Sequence, residues 1–167
     1  ALNETQLREV INKILTLAAQ QGIGEAPVEQ AEPEEDEALA AIDRGDFAAA
    51  EASYRALLAR KPNDVYGKLG LAQVQLLMRT NGVDAAQVMQ SAIENPDDLV
   101  IQMECADIEI MQGYLEEGFK RLLRLISIYK GDEQKQVKER LLELFALVDP
   151  ADPRVIKARA ALANALF

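Results

Sequence analysis

Apolar residues recur at three- and four-residue steps along most of the chain, and turn residues interrupt them at regular intervals. The first stripe, Leu7, Val10, Ile11, Ile14, Leu15 and Ala18, predicts an amphipathic helix within residues 1–19, with Asn3 and Gln6 as its capping box. Residues 20–33 break the pattern with Gly22, Gly24, Pro27 and Pro33 among Glu25, Glu29 and Glu32, so they read as an acidic linker. From residue 34 onward the stripes predict helices over 34–44, 47–60, 64–79, 83–94, 98–112, 115–129, 132–148 and 153–166. Each junction carries a turn signal, such as Arg44-Gly45-Asp46, Lys61-Pro62-Asn63-Asp64 or Asn95-Pro96-Asp97. Asp152 before Pro153 is a helix start, because Asp accepts from the first free amides and Pro at the first helical position gives up no bond.

Within 34–167 the stripes repeat. A small residue followed four positions later by a bulkier one recurs at Ala50 and Tyr54, Ala86 and Gln90, and Gly118 and Leu122. The steps are 36 residues from Ala50 to Ala86 and 32 from Ala86 to Gly118, on either side of the tetratricopeptide period of about 34. Ala38, Ala72 and Ala106 in the first helix of each hairpin, with Ala50, Ala86 and Gly118 in the second, let paired backbones approach. The expected fold is all-α: a tetratricopeptide-like array of helical hairpins, wound as a superhelical α-solenoid. Its expected two-helix C-terminal cap carries the stripes Val137, Leu141, Leu144, Phe145, Val148 and Val155, Ile156, Leu162, Leu166.

Composition narrows function more than fold. With 49% apolar residues, 5% aromatics and no Trp, the core must be built from Leu, Ala, Ile and Val, which suits packed helices. A net charge of -10 speaks against nucleic acid as a partner, since phosphate contacts need clustered Lys and Arg. No apolar run approaches the roughly 18 residues that span a bilayer, so no membrane role is expected. Cys105 stands alone and cannot form an internal disulfide, which makes a reducing cytoplasm the default location. The chain opens on Ala1, Leu2 and Asn3, already inside an amphipathic pattern, and further sequence upstream is expected.

Candidate chemistry is sparse. The absence of His removes the commonest general base and the usual nucleophile pairs. Gly22 and Gly24 are half of a dinucleotide fingerprint with no strand before them, and Gly67-Lys68-Leu69-Gly70 lacks the ending of a phosphate loop. Glu116 with Glu117, and Asp97 with Asp98, are neighbours that point apart on a helix. The acidic run from Glu34 suits a solvated helix N-terminus. Cys105 has no CxxC partner and no evident cation, so it reads as a structural thiol. No catalytic residue, cofactor or metal site is expected. The first helices of the hairpins should line a groove for an apolar peptide or helix, formed by Leu39, Ile42, Tyr66, Leu69, Gln73, Leu76, Val100, Met103, Asp107 and Ile110.

A family resemblance rests on the order of parts. Segment 2–15, Leu-Asn-Glu-Thr-Gln-Leu-Arg-Glu-Val-Ile-Asn-Lys-Ile-Leu, resembles the last helix of a thioredoxin domain. The acidic linker follows, then hairpins containing Gly45-Asp46-Phe47-Ala48-Ala49-Ala50-Glu51. The tail holds Gly131-Asp132-Glu133, Arg140-Leu141-Leu142-Glu143-Leu144-Phe145 and Leu162-Ala163-Asn164-Ala165-Leu166-Phe167. The whole is similar to the C-terminal half of bacterial thioredoxin-like tetratricopeptide co-chaperones, the chaperedoxins. That resemblance implies a partner-binding array for unfolded clients and for Hsp60 and Hsp70 chaperones, behind an upstream thioredoxin-like domain that serves redox homeostasis. It carries over no redox-motif residue, because the active-site segment has no counterpart here. Two other roles stay open: an array that positions or dimerises the redox domain, and a substrate selector for a thiol-disulfide oxidoreductase.

Overall fold

The computed structural model describes residues 32–166, and every regular element among them is helical. The helix expected within 1–19 and the linker up to residue 31 lie outside the described residues. Residues 33–166 belong to one compact unit. Its helices are α1 (Pro33–Asp43), α2 (Phe47–Arg60), α3 (Val65–Thr80), α4 (Ala85–Glu94), α5 (Leu99–Met111), α6 (Leu115–Ile128), α7 (Asp132–Phe145) and α8 (Pro153–Leu166).

Three helices, α3, α4 and α5, start a residue or two later than expected for one reason. Asp64, Asp84 and Asp98 stand outside the helices as caps. Their carboxylates accept from the amides of Gly67 at 2.7 Å, of Ala86 and Gln87 at 3.0 and 3.1 Å, and of Ile101 at 3.0 Å. Asp46 does the same for α2 through Ala49, and Asp152 for α8 through Arg154. The ends of α1 and α5 share a closing motif, in which the amides of Gly45 and Asp46 reach Ile42 and Ala41, and those of Gly113 and Tyr114 reach Ile110 and Glu109. That pairing requires a left-handed residue, supplied by Gly45 at φ 73° and Gly113 at φ 86°. The expected last turn of α7 instead tightens into i→i−3 bonds from Ala146 and Leu147, so the helix stops at Phe145.

Packing restores a period that the spacing of Ala50, Ala86 and Gly118 had blurred. Ala38, Ala72 and Ala106 are all buried and stand 34 residues apart, while Ala50 and Gly118 are separated by two such steps. Ala86 is exposed and takes no part in close packing. In the middle hairpin the second helix begins late, behind Asp84, runs only 10 residues and buries Ala92 alone. The irregular steps thus belong to Ala86 and not to the repeat.

Two helical glycines make room for a neighbouring helix. A Cβ on Gly70 would lie 2.2 Å from the Tyr54 ring, and one on Gly118 would lie 2.9 Å from Ile110 and 3.1 Å from the Ala106 carbonyl. Tyr54 joins Ala38, Ala41, Ala50 and Val74 in a small core shared by α1, α2 and α3. A larger core runs from Leu76 through Met103, Ala106, Phe119 and Leu122 to Leu141, Leu144, Val155 and Leu162. At its centre Phe119 and Phe145 meet edge to face, with ring centroids 5.0 Å apart. In the cap, Val137, Leu141, Leu144, Phe145, Val155 and Leu162 are buried, whereas Ile156 and Leu166 are exposed.

A charged cluster ties α3, α5 and α7 together. Asp107, 1% exposed, accepts from Arg79 Nε at 2.8 Å and also from Arg140, and Arg79 reaches on to Glu143 at 2.7 Å. Burial opposes the charge on Arg79, yet the hydrogen bonds and charges of Asp107 and Glu143 outweigh it and raise its pKa. For Arg140 the balance falls the other way, because burial and the neighbouring Arg79 charge lower its pKa despite Asp107. A second buried set lies between α5 and α6. There Arg121 donates to both carboxylate oxygens of Glu109 at 2.9 and 2.6 Å and to Gln102, while Gln102 donates to the carbonyls of Ala92 and Asn95 at the end of α4.

Two outcomes test this packing. Gly70→Ala should lower stability by about 1–3 kcal/mol through overpacking against Tyr54, whereas Ala86→Leu should stay within about 0.5 kcal/mol of the parent, both read from urea denaturation midpoints. Asp107→Asn, which leaves the half-buried Arg140 without its anion and Arg79 with Glu143 alone, should cost about 3 kcal/mol, and the more exposed Glu143→Gln should cost clearly less.

Candidate interaction surface

The expected groove residues lie on the first helices of the hairpins, α1, α3 and α5, and the structure divides them into two sets. Leu39, Tyr66, Leu69, Gln73 and Val100 are exposed, Tyr66 and Val100 by 63% and 62% of their surfaces. Ile42 is half-buried against the small core. Leu76, Met103, Asp107 and Ile110 are buried. The buried four have distinct partners. Leu76 and Met103 enter the large core with Leu141 and Leu144, Asp107 is held by Arg79 and Arg140, and Ile110 faces Gly118 on α6. The open part of the expected face is therefore Leu39, Tyr66, Leu69, Gln73 and Val100, and Val65 of α3 is exposed as well, by 72%.

Two clefts adjoin this face. One of about 230 Å³ is lined by Val100, Met103, Glu104 and Asp107 of α5 with Arg79, Gln136 and Arg140. It has a charged floor, and its arginines already hold Asp107. The other, of about 360 Å³, opens between the start of α3 (Val65, Lys68, Leu69) and residues 145–150 with Arg159 of α8. Its walls are mainly apolar. Neither brings together a nucleophile with a base.

The other residues considered for chemistry have structural duties. Glu116 pairs with Lys120 at 3.1 Å and Lys157 at 3.2 Å, and these hydrogen bonds lower its pKa. Asp97 pairs with Arg124 at 2.7 Å, and Asp98 caps α5. Cys105 is buried, and burial followed by the Glu109 charge pushes its thiol pKa up. A cation does lie near it, contrary to the sequence-based expectation, but Arg121 is engaged by Glu109 and only partly offsets that rise. Among the described residues no group of three His, Cys, Asp or Glu is placed to hold a metal ion, and no helix is long and apolar enough to cross a membrane.

The ion pairs of Arg79, Arg121, Arg140 and Glu143 were not foreseen from the sequence. The available signal was the polar content of α5, where Gln102, Glu104, Asp107 and Glu109 interrupt an otherwise apolar run and all but Glu104 are buried. Buried polar side chains of this kind require partners on neighbouring helices.

Comparison with known proteins agrees with this architecture. The chain is 34% identical to the uncharacterized protein Rv1324 of Mycobacterium tuberculosis and to the uncharacterized protein Mb1359 of Mycobacterium bovis, each over 97% of this chain and 54% of the relative. It thus spans about half the length of the curated relatives it matches. No solved structure matches it significantly. Residues 78–167, from the end of α3 through the cap, match the tetratricopeptide repeat family. Together with the hairpins of α1 to α6, that match shows that the chain belongs to the tetratricopeptide repeat family.

Proposed function

We propose that this chain is the partner-binding half of a thioredoxin-like co-chaperone, holding unfolded clients or docking Hsp60 and Hsp70 chaperones through its first helices. Tetratricopeptide repeats form a non-catalytic interaction fold, and arrays of this kind present extended binding surfaces. The observation that carries the proposal is the exposed apolar set Leu39, Val65, Tyr66, Leu69 and Val100 on α1, α3 and α5. Large apolar side chains left exposed on these first helices support a partner there. In this reading residues 1–19 end a thioredoxin-type domain, 20–33 form the linker and 34–167 the repeat domain. The link to redox homeostasis runs through the upstream domain, since Cys105 is buried and its thiol is raised.

The test uses the purified chain with a chemically unfolded client and with purified Hsp60 and Hsp70. The chain should slow client aggregation at micromolar concentration or bind one of the chaperones. Tyr66→Asp with Val100→Asp, both at exposed positions, should weaken that interaction about tenfold, the scale of losing a buried anchor, while leaving the helical circular dichroism intact. Absence of both activities in the parent chain sinks the proposal. So does a constitutive dimer in light scattering that covers these residues, which would favour an array that pairs or positions a redox domain.

A further inference from the structure

Among the described residues α4 is the one helix that contributes to neither hydrophobic core. It runs 10 residues, packs chiefly on α5 and buries Ala92 alone, while Ile93 beside it is 74% exposed. A helix this short is marginal by itself in water, so its place depends on what fastens it to α5. The fastening is largely polar. The amide four residues beyond Ala92 would belong to Pro96, which has no N–H, so the Ala92 carbonyl lacks its helical donor. The buried Gln102 side chain supplies one. Its Nε2 donates to the Ala92 carbonyl at 2.6 Å and to the Asn95 carbonyl at 3.0 Å, and its Oε1 accepts from Arg121, which Glu109 clamps. Just past the helix, Arg124 donates to the Pro96 carbonyl at 2.7 Å and the Tyr129 hydroxyl to that of Asp97. The chain beyond α4 is thus tied to α6 independently of Gln102.

Most sides of α5 have known neighbours. Ala106 and Ile110 enter the large core, with Ile110 beside Gly118 of α6; Gln102 and Glu109 engage Arg121; and Asp107 holds Arg79 and Arg140. Ile101, Cys105 and Ile108 recur at four- and three-residue steps along the remaining side. There Cys105 and Ile108 are buried yet belong to neither core. We propose that α4 is a strap over this side of α5, latched by Gln102, and that it opens by itself while both cores stay folded. Opening releases the Ala92 and Asn95 carbonyls and the Gln102 amide to water, and uncovers the strip that holds the Cys105 thiol. It exposes far less apolar surface than unfolding of the whole unit does, and so it requires less free energy. Arg124 and Tyr129 keep the chain beyond the strap in place, so that it can close again. This device does not depend on which partner the array binds.

The test is native-state hydrogen exchange of the full chain in rising, sub-denaturing urea. Amides of residues 88–94 in α4 should be at least about a hundredfold less protected than those of residues 119–126 in α6. Their opening should respond only weakly to urea, because that slope scales with the surface exposed. The single thiol gives a second reading: labelling of Cys105 by a thiol reagent should show the weak urea dependence of α4 and not the steep one of α6. Gln102→Met, which keeps the bulk and removes the latch, should speed α4 exchange and Cys105 labelling together by about tenfold. Leu144→Val, in the large core, should speed exchange in α6 and leave α4 and Cys105 unchanged. The measurements on the parent chain decide the matter even where a variant fails to fold. Equal protection and equal urea slopes for α4 and α6, Cys105 labelling that follows α6, or α4 exchange unmoved in a folded Gln102→Met chain each overturns the proposal.

Discussion

Asp107 is one carboxylate, almost wholly removed from water, on which two guanidinium groups from different parts of the chain converge. Arg79 comes from the end of α3 and Arg140 from the middle of α7, so this residue of α5 joins the second hairpin, the third hairpin and the cap. A charge so buried is tolerated only when its partners are held in place. Leu76, Met103, Leu141 and Leu144 supply that placement by packing around the cluster. The position of α7 against α3 follows from this arrangement, and with it the boundary of the open face and the shape of both clefts.

Much of the fold was legible because tetratricopeptide hairpins carry their instructions locally. Proline and glycine turns, Asp caps and three-to-four stripes are short-range signals, and all eight helices after residue 32 lie within a few residues of where those signals placed them. Ala38, Ala72 and Ala106 were legible for the same reason. Ala86 misled because a small residue in an amphipathic stripe looks alike whether it is buried or exposed; only the late start of α4 behind Asp84 separates the two cases.

Which of the expected groove residues stay exposed was legible only in part. Helical spacing shows that Leu39, Tyr66, Leu69 and Val100 share a kind of position with Leu76, Met103 and Ile110, but not which of them a distant helix covers. Leu76 and Met103 went inside because α7 folds back over them, and that is a contact across more than 30 residues of chain. Gly67 and Gly70 were set aside as a failed phosphate motif; their actual use, giving Leu57 and Tyr54 room against α3, depends on a neighbour that no local pattern names.

One helix belongs to both cores. Val74 of α3 lies in the small core of the first hairpin, and Leu76, two residues on, lies in the large core that includes the cap. Two residues turn an α-helix by about 200°, so α3 is a party wall with its weight-bearing sides nearly opposite. The array is therefore less like a stack of interchangeable bricks than like two rooms sharing a partition. Whatever tilts that partition from the side of Tyr54 is felt on the other side at Leu76 and Arg79, where the cap is fastened.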